Sequence, residues 1–187
     1  MTRRSAGILA YRRRDSLEVL LGHPGGPFWS RRDEGSWSIL KGEYDEGEDP
    51  EAAARREFNE ETGWVVTGPV EPLGEIRQRG GKIVTAYAAE ADFDPAMLVS
   101  NIFTLEWPPR SSRMRSFPEI DRVQWFTLAE AGSKVVPGQA GFLDRLAAGL
   151  PRARTDPQSP GSTVVASAQA PAPAVRKPRA APGNSEE

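Results

Sequence analysis

One run of this chain, GEYDEGEDPEAAARREFNEETGW at residues 42–64, constrains its fold more than any other. It predicts a loop, a helix and a second loop. Asp49 suits the N-cap, because its carboxylate can accept from the unpaired N–H groups of a first turn. Pro50 falls at the first helical position, where a missing N–H costs nothing, and Glu51 puts negative charge at the positive end of the helix dipole. No breaker interrupts Ala52 to Thr62, and Gly63 is placed to close the helix in a left-handed conformation. Glu57, Glu60 and Glu61 then stand at i, i+3 and i+4 on one face, beside an apolar strip of Ala54 and Phe58. At a spacing of ~5 Å and an effective dielectric of ~20, each like-charged pair repels by roughly 3 kcal/mol. Water relieves that on an open surface; in a cleft, a hard divalent cation with a preference for oxygen relieves it better.

The spacing of the whole run separates the two readings. Gly42, Glu48, Arg56, Glu57, Phe58, Glu60, Glu61, Gly63 and Trp64 fill every defined position of G-x5-E-x7-R-E-(apolar)-x-E-E-x-G-(apolar). That pattern resembles the Nudix box, and the order of predicted elements extends the resemblance over about residues 5–150. The resemblance implies an α/β/α sandwich with a mixed sheet. It implies hydrolysis of a nucleoside diphosphate linked to another group, with Mg²⁺ or Mn²⁺ as cofactor. Carried over by position, Glu57 and Glu61 are the main metal ligands, and Glu60 is a further ligand or the base that takes the proton of water. The Gly42 carbonyl also meets metal, Arg56 orients a glutamate and offsets its charge, and Glu48 supports the loop or joins a metal through water. Some relatives take the base from outside the box, which makes Glu106, Glu119 and Asp121 candidates here. Gly42 is expected to need an unusual backbone conformation. Leu40 stands where many Nudix proteins carry proline.

Around the box, Ser5–Arg12 and Leu17–Gly22 read as a hairpin of buried strands, and Ser36–Leu40 as a short strand leading into Lys41-Gly42. Val70–Arg79 and Lys82–Ala91 read as a second hairpin about Gly80-Gly81. Ile102–Trp107 and Arg122–Phe126 are further strands, with a basic loop over 108–115 between them. Leu128–Lys134 and Gln139–Gly149 are helices, with Phe142, Leu143, Leu146 and Ala147 on one face. His23 at a strand end reads as structural. Phe28 and Trp29, in a Gly- and Pro-rich loop, either stack on a base or cover the core edge. From Pro151 the sequence turns Pro/Ala-rich and loses all periodicity, so residues 1–150 form the predicted domain and 151–187 a disordered tail.

Composition limits the partners. With 24 basic and 26 acidic residues, the net charge is −2, which disfavours long nucleic acid. The absence of cysteine excludes disulfides and thiol catalysis, and a single histidine excludes a His-rich metal site. The apolar run Ala6–Tyr11 is too short for a signal peptide's core or a membrane span, so the reading is a cytoplasmic protein with no membrane partner. Nothing in the sequence sets an oligomeric state. The expected partner is a small-molecule nucleotide. Lys41 beside the box, Arg77, Arg79 and Lys82 on the second hairpin, and Arg110, Arg113 and Arg115 in the basic loop are candidate phosphate contacts. The segments His23–Trp29 and Leu105–Arg110 resemble a bacterial Nudix subgroup described as predicted NTP pyrophosphohydrolases. An NTP or a dinucleoside polyphosphate is the favoured substrate. The alternatives are housecleaning of nucleotide sugars or oxidised nucleotides, and a non-catalytic nucleotide-sensing module.

Overall fold

Strand β1 (Arg4–Arg13) sets the architecture, because both of its faces are apolar. Ala6, Ile8 and Ala10 point one way, and Leu9 and Tyr11 the other, as the two-residue period of a strand demands. A strand buried on both faces needs a cover on each side. The computed structural model, which describes residues 3–150, supplies both covers. Helix α1 (Pro50–Thr62) packs on the first face through Ala53, Ala54 and Phe58. Helices α2 (Leu128–Lys134) and α3 (Ala140–Gly149) pack on the second through Ala131, Phe142, Leu143 and Leu146. The result is an α/β/α sandwich. Ala147, expected on the buried face of α3, is exposed instead.

β1 pairs antiparallel with β2 (Leu17–Pro24) and parallel with β5 (Ile83–Glu90), which pairs antiparallel with β4 (Glu71–Arg77). β8 (Ile120–Thr127) completes the far edge against β2. One edge of β1 is shared by two strands. β2 holds it at Tyr11–Arg13, and β3 (Leu40–Glu43) holds it at Ser5–Ile8. The expected strand at Ser36–Leu40 therefore begins later. Trp37 and Ser38 make only single bridges, to Val135 and Gly22, and regular pairing starts at Leu40. Gly7 allows the close approach of β3, since a Cβ there would lie 2.4 Å from the Lys41 Cβ.

Beyond the main sheet, β6 (Ile102–Glu106) pairs with β7 (Met114–Pro118) as a separate two-stranded hairpin. The sequence reading put a basic loop across 108–115 and missed β7. Its residues are exposed except Phe117, and they become a strand by pairing with β6. The turn between them carries a cis Trp107-Pro108 bond and positive φ at Arg110 and Ser112. Among the described residues no helix is long and apolar enough to cross a membrane. The predicted tail, 151–187, lies outside the described residues.

Candidate active site

Local chemistry fixes α1 before any tertiary contact acts on it. The Asp49 carboxylate accepts from the Ala52 amide at 2.8 Å, Pro50 opens the helix, and Gly63 closes it at φ 78° with its N–H on the Asn59 carbonyl. Packing then fixes its rotation. Phe58 is fully buried beside Trp64 and Phe93, whose rings stack at 4.7 Å. With that side pinned to the sheet, the glutamates of the last two turns face β3.

Gly42 of β3 meets Glu57 directly. A Cβ on Gly42 would fall 1.6 Å from Glu57 Oε2, so the carboxylate occupies the space a side chain would fill. Gly42 is not among the glycines with positive φ. The expectation of an unusual backbone conformation is therefore wrong, and glycine is needed here for close approach. Glu57 is only 7% exposed. Gly42→Ala should thus expel the Glu57 carboxylate, lowering activity at least tenfold and the melting temperature by a few degrees. A variant with wild-type rate and melting curve would remove the importance of this contact.

Arg56 balances the acidic face. Its guanidinium donates to both Glu48 oxygens, at 3.1 and 3.2 Å, and to Glu57 Oε1, and reaches Glu60 at 3.5 Å. Burial alone would make this cation easier to deprotonate, but the bonds to Glu48 and Glu57 raise its pKa above the ordinary arginine value. Glu48 is held below the usual carboxylate range by its bond to Arg56. Glu61 lies in a different environment. Its Oε2 accepts from the Lys41 amide at 2.7 Å. Burial pushes its pKa up to about 8, against the lowering effects of the Lys41 charge and amide, while Glu57 and Glu119 push it further the same way. A carboxylate in that position stays ionised near neutrality only with a positive partner beyond those present.

A model of the NUDIX domain matches residues 1–146. The chain belongs to the Nudix family. That places it among hydrolases acting on phosphoric anhydrides. Its fold is shared with solved Nudix structures of low identity. A Caenorhabditis elegans Ap4A hydrolase in a binary complex is 22% identical, with 79% of this chain and 96% of that one covered and a TM-score of 0.53. The NUDIX domain of Shewanella oneidensis NrtR, complexed with ADP ribose, is 17% identical over 79% and 88% of the two chains, at 0.54. A NUDIX hydrolase from Nitrosomonas europaea is 18% identical over 80% and 90%, at 0.51. A search of curated proteins gives no match.

The remaining residues singled out from the Nudix sequence fall in several places. Among the described residues, no three carboxylate or imidazole groups close around a single point that could hold a metal ion. Glu57 is turned to Arg56, and Glu61 to the Lys41 amide. Leu40 packs on the α1 side and Gly42 touches Glu57, so the Lys41 side chain leaves β3 from the opposite face, over Gly7. Lys82, half-buried, shares that side through Glu43 at 3.4 Å and feels the Lys41 charge. Arg77 and Arg113 are exposed, at the end of β4 and on the β6–β7 turn. Of the outlying candidate bases, Glu119 is the one whose charge bears on Glu61. Glu106 accepts from the Ser112 amide within its own hairpin. Asp121 is bonded to His23 at 2.8 Å.

His23 is fully buried, with its second ring nitrogen 2.8 Å from the Arg32 carbonyl. Both nitrogens face oxygen acceptors, so the ring is structural, as its position at a strand end suggested. Phe28 of the Gly/Pro loop is exposed and packs edge-to-face on Trp107 at 5.2 Å. The sequence reading missed the reach of Arg56 to Glu48. The eight-residue separation is not a helical period, because Glu48 precedes the helix, and only the fold of the loop joins the two.

Proposed function

We propose that this Nudix protein is a metal-dependent pyrophosphohydrolase. It cleaves a nucleoside diphosphate linked to another moiety, with an NTP or a dinucleoside polyphosphate as the favoured substrate. The observation that carries the reading is the environment of Glu61. It is a desolvated carboxylate with two more on the same helix face and too little positive charge around it. The donor set suits a hard divalent cation, since it is all oxygen and Arg56 offsets only part of its negative charge. Glu57, Glu61 and Glu60, with the Gly42 carbonyl, would hold Mg²⁺ or Mn²⁺. Such an ion, when bound, neutralises phosphate charge and activates water.

The chain's own residues account for the rest. Arg56 ties Glu57 to Glu48, so the first carboxylate of the face has a positive partner and a fixed orientation. Glu60, half-buried and 3.5 Å from Arg56, accepts the proton that water loses as its oxygen attacks phosphorus and the bridging P–O bond breaks. Glu119 is the second candidate for that proton. A cytoplasmic location and a small-molecule partner belong to the same reading. The complete acidic face favours turnover over the alternative of a nucleotide-sensing module, which has no use for every carboxylate.

A hydrolysis screen tests the proposal: NTPs, dinucleoside polyphosphates, nucleotide sugars and dinucleotide cofactors, each with Mg²⁺ and Mn²⁺. Turnover of the first two classes above the others supports it. Binding without turnover would favour the sensing module, and preference for nucleotide sugars the housecleaning role. The arginines of the β6–β7 turn give a finer check. Arg113→Ala should raise KM for a dinucleoside tetraphosphate more than for a diphosphate-linked sugar, with kcat nearly unchanged, as lost uniform binding requires. Equal effects on both substrates would detach that turn from phosphate recognition.

A further inference from the structure

A cavity of about 270 Å³ opens between the segment carrying Leu98 and Ser100, the β6–β7 hairpin and the start of β8. Leu98, Ile102, Phe117 and Ile120 line it with apolar surface, and Ser100, Ser116 and Asp121 add polar groups. It adjoins the acidic face. The Val99 amide donates to the Thr62 carbonyl at 2.9 Å, so the wall carrying Leu98 and Ser100 is fastened one residue beyond Glu61. Glu119, whose charge reaches Glu61, sits between the lining residues Pro118 and Ile120. The volume falls just under the ~300–1,000 Å³ of sites that enclose a drug-sized ligand, which suits one heterocyclic base and not a whole dinucleotide.

The polar groups have different amounts of capacity left. Ser100 Oγ accepts from the Ile120 amide at 2.9 Å and donates to the Asn101 carbonyl at 3.2 Å, so its proton is already used. Asp121 Oδ1 accepts from His23 Nδ1 at 2.8 Å. His23 is fully buried and fixed on its other side by the Arg32 carbonyl, so it holds the carboxylate from behind. Asp121 Oδ2 has no hydrogen-bond partner among the described residues. Ser116 adds a hydroxyl that can turn to donate or to accept, so Asp121 is the one lining side chain that can only accept, and it is held in place.

We propose that this cavity receives the nucleotide's base and that Asp121 selects guanine there, an inference that rests on the pyrophosphohydrolase reading. Guanine offers two adjacent donors on one edge, N1–H and the N2 amino group, which a carboxylate can accept together. Adenine and cytosine set a ring-nitrogen acceptor beside their amino group, and uracil sets carbonyls on both sides of its single N–H. Each of those would turn an acceptor toward a carboxylate oxygen. A site built to bond a donor rejects an analogue that lacks it, because the site's polar group is left unpaired. His23 is the positioning residue for Asp121.

The test is binding of nucleoside monophosphates to the full chain in EDTA, followed by amide shifts in NMR. GMP, IMP and UMP differ in the base alone, and IMP is GMP without the N2 amino group. GMP should bind at least tenfold more tightly than IMP or UMP, and shift the amides of Phe117, Ile120 and Asp121. Asp121→Asn, which keeps an oxygen for His23, should abolish the difference between GMP and IMP in a protein that still melts cooperatively. Equal binding of GMP and IMP, survival of the preference in Asp121→Asn, or no binding of any of the three overturns the assignment. The measurement needs neither metal nor hydrolysis. A guanine preference without turnover would sink only the hydrolase reading, and turnover without the preference only the role of the cavity.

Discussion

Glu61→Gln should slow hydrolysis at least a hundredfold while the metal-free protein becomes more stable above neutral pH. The two effects have one cause. A hundredfold loss corresponds to about 2.7 kcal/mol of barrier, in keeping with removal of a charged ligand from a site that neutralises phosphate. The stability gain follows from linkage. Unfolded, the Glu61 carboxyl ionises near its ordinary value of 4.5; folded, burial holds the proton to about 8. Between those two values the folded protein binds a proton the unfolded chain has lost, so stability falls as pH rises through that window. Above about 8 the full penalty is present. Glutamine keeps an oxygen for the Lys41 amide and carries no charge, so the penalty disappears. Melting curves in EDTA should coincide near pH 4 and separate by pH 9, with the variant higher. An unimpaired rate would make the acidic face decorative. A variant that melts lower at pH 9 would mean the Lys41–Glu61 contact outweighs the cost of desolvation.

EDTA should abolish activity, and Mg²⁺ or Mn²⁺ should restore it. Arg56 is bonded to Glu48 and Glu57 and lies close to Glu60. One guanidinium does not neutralise these carboxylates together with Glu61, and it leaves no positive charge for the phosphates. Titration of the metal should therefore raise the melting temperature as well as the rate, since an ion that binds only the folded state stabilises it. The increase should be larger at pH 9 than at pH 5, where protons compete for Glu61. Full turnover in metal-free buffer would overturn the mechanism.

Both results concern residues visible in the sequence, and the reason is that α1 is locally determined. Asp49, Pro50 and Gly63 mark its ends by their own conformational preferences, and the i, i+3, i+4 spacing puts Glu57, Glu60 and Glu61 together wherever the helix lies. The two-face burial of β1 was legible too, in Ala6–Tyr11. What escaped reading depends on distant partners. β7 has the composition of a basic turn and is a strand only because β6 lies beside it. Gly42 was assigned a backbone role, whereas its constraint comes from a glutamate fifteen positions away in sequence. Lys41 adjoins the box, yet strand alternation sends its side chain to the other face, so it bonds Glu61 through its amide and its ammonium acts there only through charge. Asp121 was one of three candidate bases, and its tie to the buried His23 could be seen only after β2 and β8 were paired.

The two edges of β1 also govern the order in which the protein can be made. On one side β1 can pair as soon as β2 and β3 exist. On the other it waits for β5, which ends at Glu90, 77 residues beyond Arg13 (90 − 13). At roughly 5–20 residues per second, the nascent chain carries an unsatisfied apolar strand edge for on the order of 4 to 15 s. The helix bearing Glu57, Glu60 and Glu61 is synthesised inside that interval, so it is available to cover one face of β1 before the sheet can close. A stall between Gly63 and Ile83 would leave the acidic helix formed and the central strand half-open, the state in which this chain is most exposed to aggregation and to capture by chaperones.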